Sequence, residues 1–254
     1  MKSITILGGH NKIGALEDVN LTLLPGEVIS IVGPTGSGKS RLLADIECLA
    51  QRDTQTGRKI LVDGEEPLEE NRFSIENKLV AQLSQNMNFV MDLSVKDFIL
   101  MHAESRMIED ADEIVNNIIN CANDLAGETF SLDVPITQLS GGQSRALMIA
   151  DTAMLSASPI VLIDEIENAG VDRRKALDLL IKNDKIVLMS THDPILALMA
   201  DKRVVIRNGG IAALIETSEK ERENLEILYK IDLKMMEIRS KLRNGEHIDF
   251  HVEI

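Results

Sequence analysis

Gly33-Pro34-Thr35-Gly36-Ser37-Gly38-Lys39-Ser40 has the residue types and spacing of a loop that holds phosphate, GxxxxGK followed by Ser or Thr. Its glycines let the backbone curl so that successive N–H groups converge on one anion. A helix starting at the end of the loop adds the positive end of its dipole. Lys39 is placed to neutralise the β- and γ-phosphates of a nucleotide, and the Ser40 hydroxyl to bind Mg²⁺. The chemistry implied is the binding of a nucleoside triphosphate with a divalent cation.

Such a loop works only between a strand and a helix, and the flanking residues supply both. Glu27-Val28-Ile29-Ser30-Ile31-Val32 is a short β-branched run, the mark of a strand buried on both faces, and Ser40 to Ile46 continues as a helix. Upstream, Ser3 to Leu7 and Val19 to Leu24 read as strands, with a turn at Pro25-Gly26. Lys59 to Val62 is another, ending at Asp63-Gly64. From Phe89 to Asp133 apolar residues recur at helical spacing: Val95, Phe98 and Ile99, then Ile114, Val115, Ile118 and Ile119. The α/β pattern then returns. Ile160 to Ile163 is a buried strand ending in Asp164-Glu165, and Lys185 to Met189 is a buried strand followed by Ser190-Thr191-His192-Asp193. Arg203 to Ile206 precedes the turn Asn208-Gly209-Gly210.

About a hundred residues after the phosphate loop stands Leu139-Ser140-Gly141-Gly142-Gln143. With this LSGGQ signature, residues 3 to 215 resemble the ATP-binding cassette (ABC) ATPases, with the motifs in that family's order. The resemblance implies an α/β fold: a RecA-like P-loop core with a mainly parallel sheet, an antiparallel β part at the N-terminus and a helical signature subdomain. The expected division is 1–88 and 134–215 for the ATP-binding core, 89–133 for the helical subdomain and 216–254 for a helical extension. Within the family, Asp164 would serve the metal from the Walker B strand, Glu165 would polarise the attacking water, and His192 would contact the γ-phosphate. A further family glutamine links the metal to the transport partner. Gln82 and Gln85 are both candidates, and the spacing to Ser94-Val95 fits Gln85 better. The signature residues Leu139 to Gln143 act in trans in this family, on ATP held by a second cassette, and Asp172 would lie in the loop crossing that interface. The implied cofactors are ATP and Mg²⁺. The implied partners are a second cassette and membrane-spanning permease subunits, with the chain on the cytoplasmic face of the membrane. A soluble ABC ATPase that remodels a cytosolic protein is the alternative.

The chain departs from the family pattern at several points. His10 falls where many members stack an aromatic ring on adenine, and Arg41 replaces a common Thr after Ser40. The helix from Ser144 to Asp151 has fewer polar residues than transporter cassettes show, with Asp151 where a base is common. Ile166 stands in place of the Pro after the Walker B glutamate. These changes spare the catalytic groups and alter the surfaces around them.

Composition sets wider bounds. With 44% hydrophobic residues in 254, the chain can bury a full core. A net charge of −14 argues against general affinity for nucleic acid. Cys48 and Cys121 read as buried free thiols in a reducing compartment. The N-terminus reads as a strand and not as a signal peptide, and no apolar run approaches the ~20 residues that span a bilayer. In the tail, Ser218 and Glu221 can form a capping box. Leu225, Leu228, Ile231, Met235, Ile238 and Leu242 follow at spacings of three and four. That stripe suits a helix packed on its own domain or on a partner.

Overall fold

The computed structural model describes residues 1–74, 78–84, 89–108, 110–164, 170–249 and 251. Two sheets carry the chain. Ile4–Leu7 (β1) pairs antiparallel with Asn20–Leu23 (β2) on one side and with Lys59–Val62 (β4) on the other. The larger sheet is built around Val28–Val32 (β3), whose residues are almost all buried, as a strand covered on both faces requires. The helix Lys39–Glu47 (α1) follows β3. In chain order, Val80–Leu83 (β5), Ile160–Asp164 (β6), Ile186–Ser190 (β7), Lys202–Arg207 (β8) and Gly210–Glu216 (β9) complete this sheet. Its strand order is β5-β6-β7-β3-β8-β9, parallel except for the β8–β9 pair. A mainly parallel sheet with an antiparallel N-terminal part is the arrangement the sequence predicts.

Helices cover both faces. A short helix, Glu69–Phe73 (α2), lies between β4 and β5. Val95–Ser105 (α3) and Ala111–Leu125 (α4) fill the helical stretch, with Ser94 capping α3 by accepting from the Asp97 N–H at 3.1 Å. Gly141–Met154 (α5) carries the signature at its start, and Arg173–Lys182 (α6), Pro194–Met199 (α7) and Glu219–Arg243 (α8) follow. One buried cluster joins Leu42, Leu43 and Ile46 of α1 to one sheet face and to Ile4, Ile6 and Leu23 of the antiparallel sheet. A second joins the opposite face (Val161, Ile163, Val187, Met189) to Ala146, Ile149, Ala176 and Leu180. A third is helical, with Val95, Phe98, Ile99, Val115, Ile118, Leu147 and Ala150 packed together from α3, α4 and α5.

One expectation changes. Cys48 is exposed and Cys121 half-buried, not the buried thiols predicted. Cys48 forms the C-cap of α1, beyond its buried face, and Cys121 sits at the rim of the α4 face formed by Ile118, Ile119 and Ala122. Partial burial and neighbouring carboxylates still push both thiols up from their usual range. In the tail, Ser218 and Glu221 do form the capping box that opens α8. None of the six stripe residues is buried, however. Leu225, Leu228, Ile231 and Ile238 are half-buried, while Met235 and Leu242 keep 45% and 59% of their surface exposed. Helix α8 rests on α7, and Met235, Met236 and Leu242 toward its apolar far end face outward.

Candidate active site

The phosphate loop leaves β3 at Gly33 and enters α1 at Lys39, with Gly38 as N-cap in the left-handed conformation (φ 110°). Glycine is required there for a second reason. A Cβ on Gly38 would stand 2.7 Å from the Cα of Gly209 in the β8–β9 turn. That turn backs the loop: the Gly209 N–H donates to the Ser37 carbonyl at 2.6 Å. From the other side Lys12 donates its Nζ to the Gly36 carbonyl at 2.8 Å and its backbone N–H to the Asn208 carbonyl at 2.7 Å. The loop is thus held by two segments remote in sequence. Neither carries a motif, so sequence reading missed Lys12 and the role of Gly209.

Strand register brings the other groups to the loop. Ile31 of β3 pairs with Ser190 of β7, and Ser190 pairs with Asp164 of β6. The carboxyl ends of three adjacent strands therefore deliver Gly33, His192 and Asp164 to one edge, where open α/β sheets bind ligands. The Lys39 ammonium donates to the Gly33 carbonyl at 3.0 Å and lies 3.0 Å from His192 Nε2. An ammonium can only donate, so Nε2 is the acceptor and the imidazole proton belongs on Nδ1. Nearby, the Ser37 hydroxyl is buried with no protein partner, an orphan polar atom within the loop. The Ser40 hydroxyl and the half-exposed Asp164 carboxylate are hard oxygen donors, which suits Mg²⁺. Loop, lysine and donor set fit a nucleoside triphosphate with its metal.

The remaining predicted residues lie around the loop, on other elements or outside the described residues. Pro34, Thr35 and Arg41 are exposed around the loop. His10 is exposed too; its N–H donates to the Thr56 carbonyl at 2.6 Å, and its ring lies against Gly57. In the signature, Leu139 precedes α5 and Ser140 is its N-cap. Ser140 Oγ accepts from the Gln143 N–H at 3.3 Å, and Gln143 Oε1 accepts from the Ser140 N–H at 2.9 Å. This capping box leaves Gly141 facing open space, with Gly142 half-exposed behind it. Asp172 is the N-cap of α6, accepting from Arg174 and Lys175 N–H groups at 3.1 Å each. Gln82 lies within β5 opposite Leu162. Gln85 and Glu165 lie outside the described residues.

A parallel sheet with a glycine loop after a central strand and a carboxylate on a nearby one defines a P-loop nucleotide-binding protein. Residues 16–168 match the ABC transporter family, and the chain belongs to that family as an ATP-binding cassette. An uncharacterized ABC transporter ATP-binding protein of Methanocaldococcus jannaschii is 52% identical over 249 residues, covering 98% of this chain and 95% of that one. The macrolide export ATP-binding/permease protein MacB of Campylobacter fetus is 29% identical over 96% of this chain, which spans only 37% of MacB. Among solved structures, a dimeric ATP-binding cassette in a post-hydrolysis state bound to ADP and Pi matches with a TM-score of 0.63 at 22% identity, over 85% of this chain and 99% of that one. The ABC transporter component cbiO1 of Clostridium perfringens gives a TM-score of 0.63 at 20% identity, over 94% and 98%. At these identities the structural matches establish the shared fold. Among the described residues, no helix is long and apolar enough to cross a membrane.

Proposed function

We propose that the chain is a Mg²⁺-dependent ATPase that works as a head-to-tail pair and energises a membrane transporter from the cytoplasmic face. The observation that carries this reading is the convergence of Lys39 and His192 at 3.0 Å on the strand edge shared with Asp164. When ATP enters, Lys39 exchanges the Gly33 carbonyl and His192 for β- and γ-phosphate oxygens, and His192 turns to the γ-phosphate. Ser40 and Asp164 would hold Mg²⁺, which neutralises charge on the phosphate oxygens. Glu165 orients the attacking water. Catalysis here is positioning and electrostatics, without a covalent intermediate.

The pairing follows from the exposed signature. The exposed Gly141 opens α5 at the positive end of its dipole, away from the phosphate loop of the same chain, so a second copy would present its ATP there. The MacB relatives are named for both ATP-binding and permease parts, which supports a permease as the partner here. Exposed Leu68, Phe73, Val90 and Met91, on either side of Gln85 in the chain, offer apolar surface for such a contact.

Purified chain should hydrolyse ATP with Mg²⁺ and not in EDTA, and Lys39→Ala should lose activity by about 100-fold or more. Tagged chain drawn from detergent-solubilised membranes should bring an integral-membrane subunit with it. Full activity in Lys39→Ala would reject the site. Recovery with a soluble client and no membrane subunit would reject transport in favour of a remodelling role.

A further inference from the structure

Arg173, the residue after Asp172, joins the C-terminal helix to the loop that carries His192. Its Nη1 donates to Asp193 Oδ2 at 2.5 Å, and its Nη2 donates to Asp232 Oδ2 on α8. All three side chains are about four-fifths buried. Asp193 directly follows His192 and is itself anchored. Its Oδ1 accepts from the Ile195 and Leu196 N–H groups at 2.8 and 3.1 Å as the N-cap of α7, and its N–H donates to Thr191 Oγ1 at 3.0 Å. The next arginine also turns to the tail, with the Arg174 guanidinium 5.6 Å over the Tyr229 ring.

The stability of α6 does not call for these cations. The helix opens with Arg173-Arg174-Lys175, three positive charges at the positive end of its dipole, which disfavours cations there. Arg173 is held by Asp193 and Asp232 and Lys175 by Asp124, which its Nζ meets at 2.6 Å, while Arg174 lies over the Tyr229 ring. The tail they reach is lightly docked. No residue of α8 is buried: its apolar residues against α7 are at most half-buried, and a further tie is polar, Arg203 to Glu221 at 2.5 Å. An element with so little buried surface opens more readily than the core beneath it.

We propose that α8 is a positioning element for ATP turnover. Asp232, acting through Arg173, fixes Asp193 and with it His192, while the same arginine fixes the start of α6 next to Asp172. Displacing α8 therefore lowers turnover and leaves nucleotide affinity in place. Arg173 and Asp232 are positioning residues, and the proposal rests on the hydrolytic reading of His192 given above.

The test compares the wild-type chain with Asp232→Asn and Asp232→Glu, measuring ATP hydrolysis and amide hydrogen exchange at Ile195 and Leu196. Asp232→Asn should lower kcat about threefold to tenfold with KM for ATP changed less than about twofold. Exchange at Ile195 and Leu196 should speed up by a similar factor, and Asp232→Glu should restore both. Wild-type kcat in Asp232→Asn overturns the proposal. So does an equal loss in Asp232→Glu, which would assign the effect to packing. If the wild-type chain itself hydrolyses no ATP, the catalytic reading fails separately; exchange then decides the coupling, and unchanged protection in Asp232→Asn overturns it.

Discussion

Arg58 has no exposed surface, and its guanidinium binds carboxylates from two other segments. Nε and Nη2 donate to both oxygens of Glu17 at 2.9 and 2.5 Å, Nη1 donates to Asp45 of α1 at 2.8 Å, and Nη2 also donates to the Gly209 carbonyl at 3.0 Å. One residue thus ties the antiparallel sheet to the helix and the turn that support the phosphate loop. Removing one partner from such a buried group leaves uncompensated charge and costs about 3–5 kcal/mol. An exposed pair such as Lys78–Glu47 is worth about 0–1 kcal/mol. Arg58→Ala should therefore destabilise by about 3–5 kcal/mol in urea melts. Glu17 adds a pH dependence. Burial pushes its carboxyl up, but Arg58 and the N–H groups of Gly9 and Ile211 outweigh this and hold it below the ordinary range. As pH falls, the unfolded chain takes up this proton first. The contribution of Glu17 is complete above about pH 4.3 and is lost as pH drops through the lower folded value. Glu17→Gln should be less stable than wild type at pH 7, and its stability should fall less steeply below about pH 4. None of this was legible in the sequence. Glu17 and Arg58 lie 41 residues apart and Gly209 a further 151 from Arg58, whereas the phosphate loop is eight consecutive residues with their function written locally.

Among the elements, the strands flanking the site were legible because each is an apolar run ending in a polar cluster. Their order in the sheet was not, since it depends on pairing between segments more than a hundred residues apart, such as Ile31 with Ser190. Strands β5 and β9, the two edges of the sheet, were missed: β5 is a short VAQL segment, and β9 carries an apolar run, Ile211 to Ile215, of which only Ile211 is buried. The helical stretch announced itself by period, but the buried carboxylate that packs against it from α5 did not. Asp151 on α5 is buried, and its Oδ1 lies 2.9 Å from His102 Nδ1 on α3, a ring that also packs on Phe98 at 4.3 Å. The imidazole links the helix carrying the signature to its neighbour. His102→Ala would leave a buried carboxylate without that partner, and should lower stability by about 1–3 kcal/mol in a denaturant melt. A loss below about 0.5 kcal/mol would mean the carboxylate finds other partners.

Across the whole molecule, the two glycine motifs that stood out in the sequence occupy different parts of the fold. One lies at the end of β3 over the first buried cluster, and the other begins α5, which packs with the helical cluster. In the proposed pairing, loop, Lys39, His192 and Asp164 would form one half-site, and the capped, open start of α5 would form its complement. The tail adds an arm whose ion pairs reach the His192 loop and whose apolar end faces outward. The central claim is that the two half-sites close on ATP only between two chains. Glu165→Gln, which should bind ATP without hydrolysing it, offers the most direct measurement: light scattering on the purified variant with and without ATP and Mg²⁺. It should run as a single chain of 28.0 kDa without nucleotide or with ADP, and at twice that mass with ATP. A variant that binds ATP tightly and stays at the mass of one chain would contradict the claim.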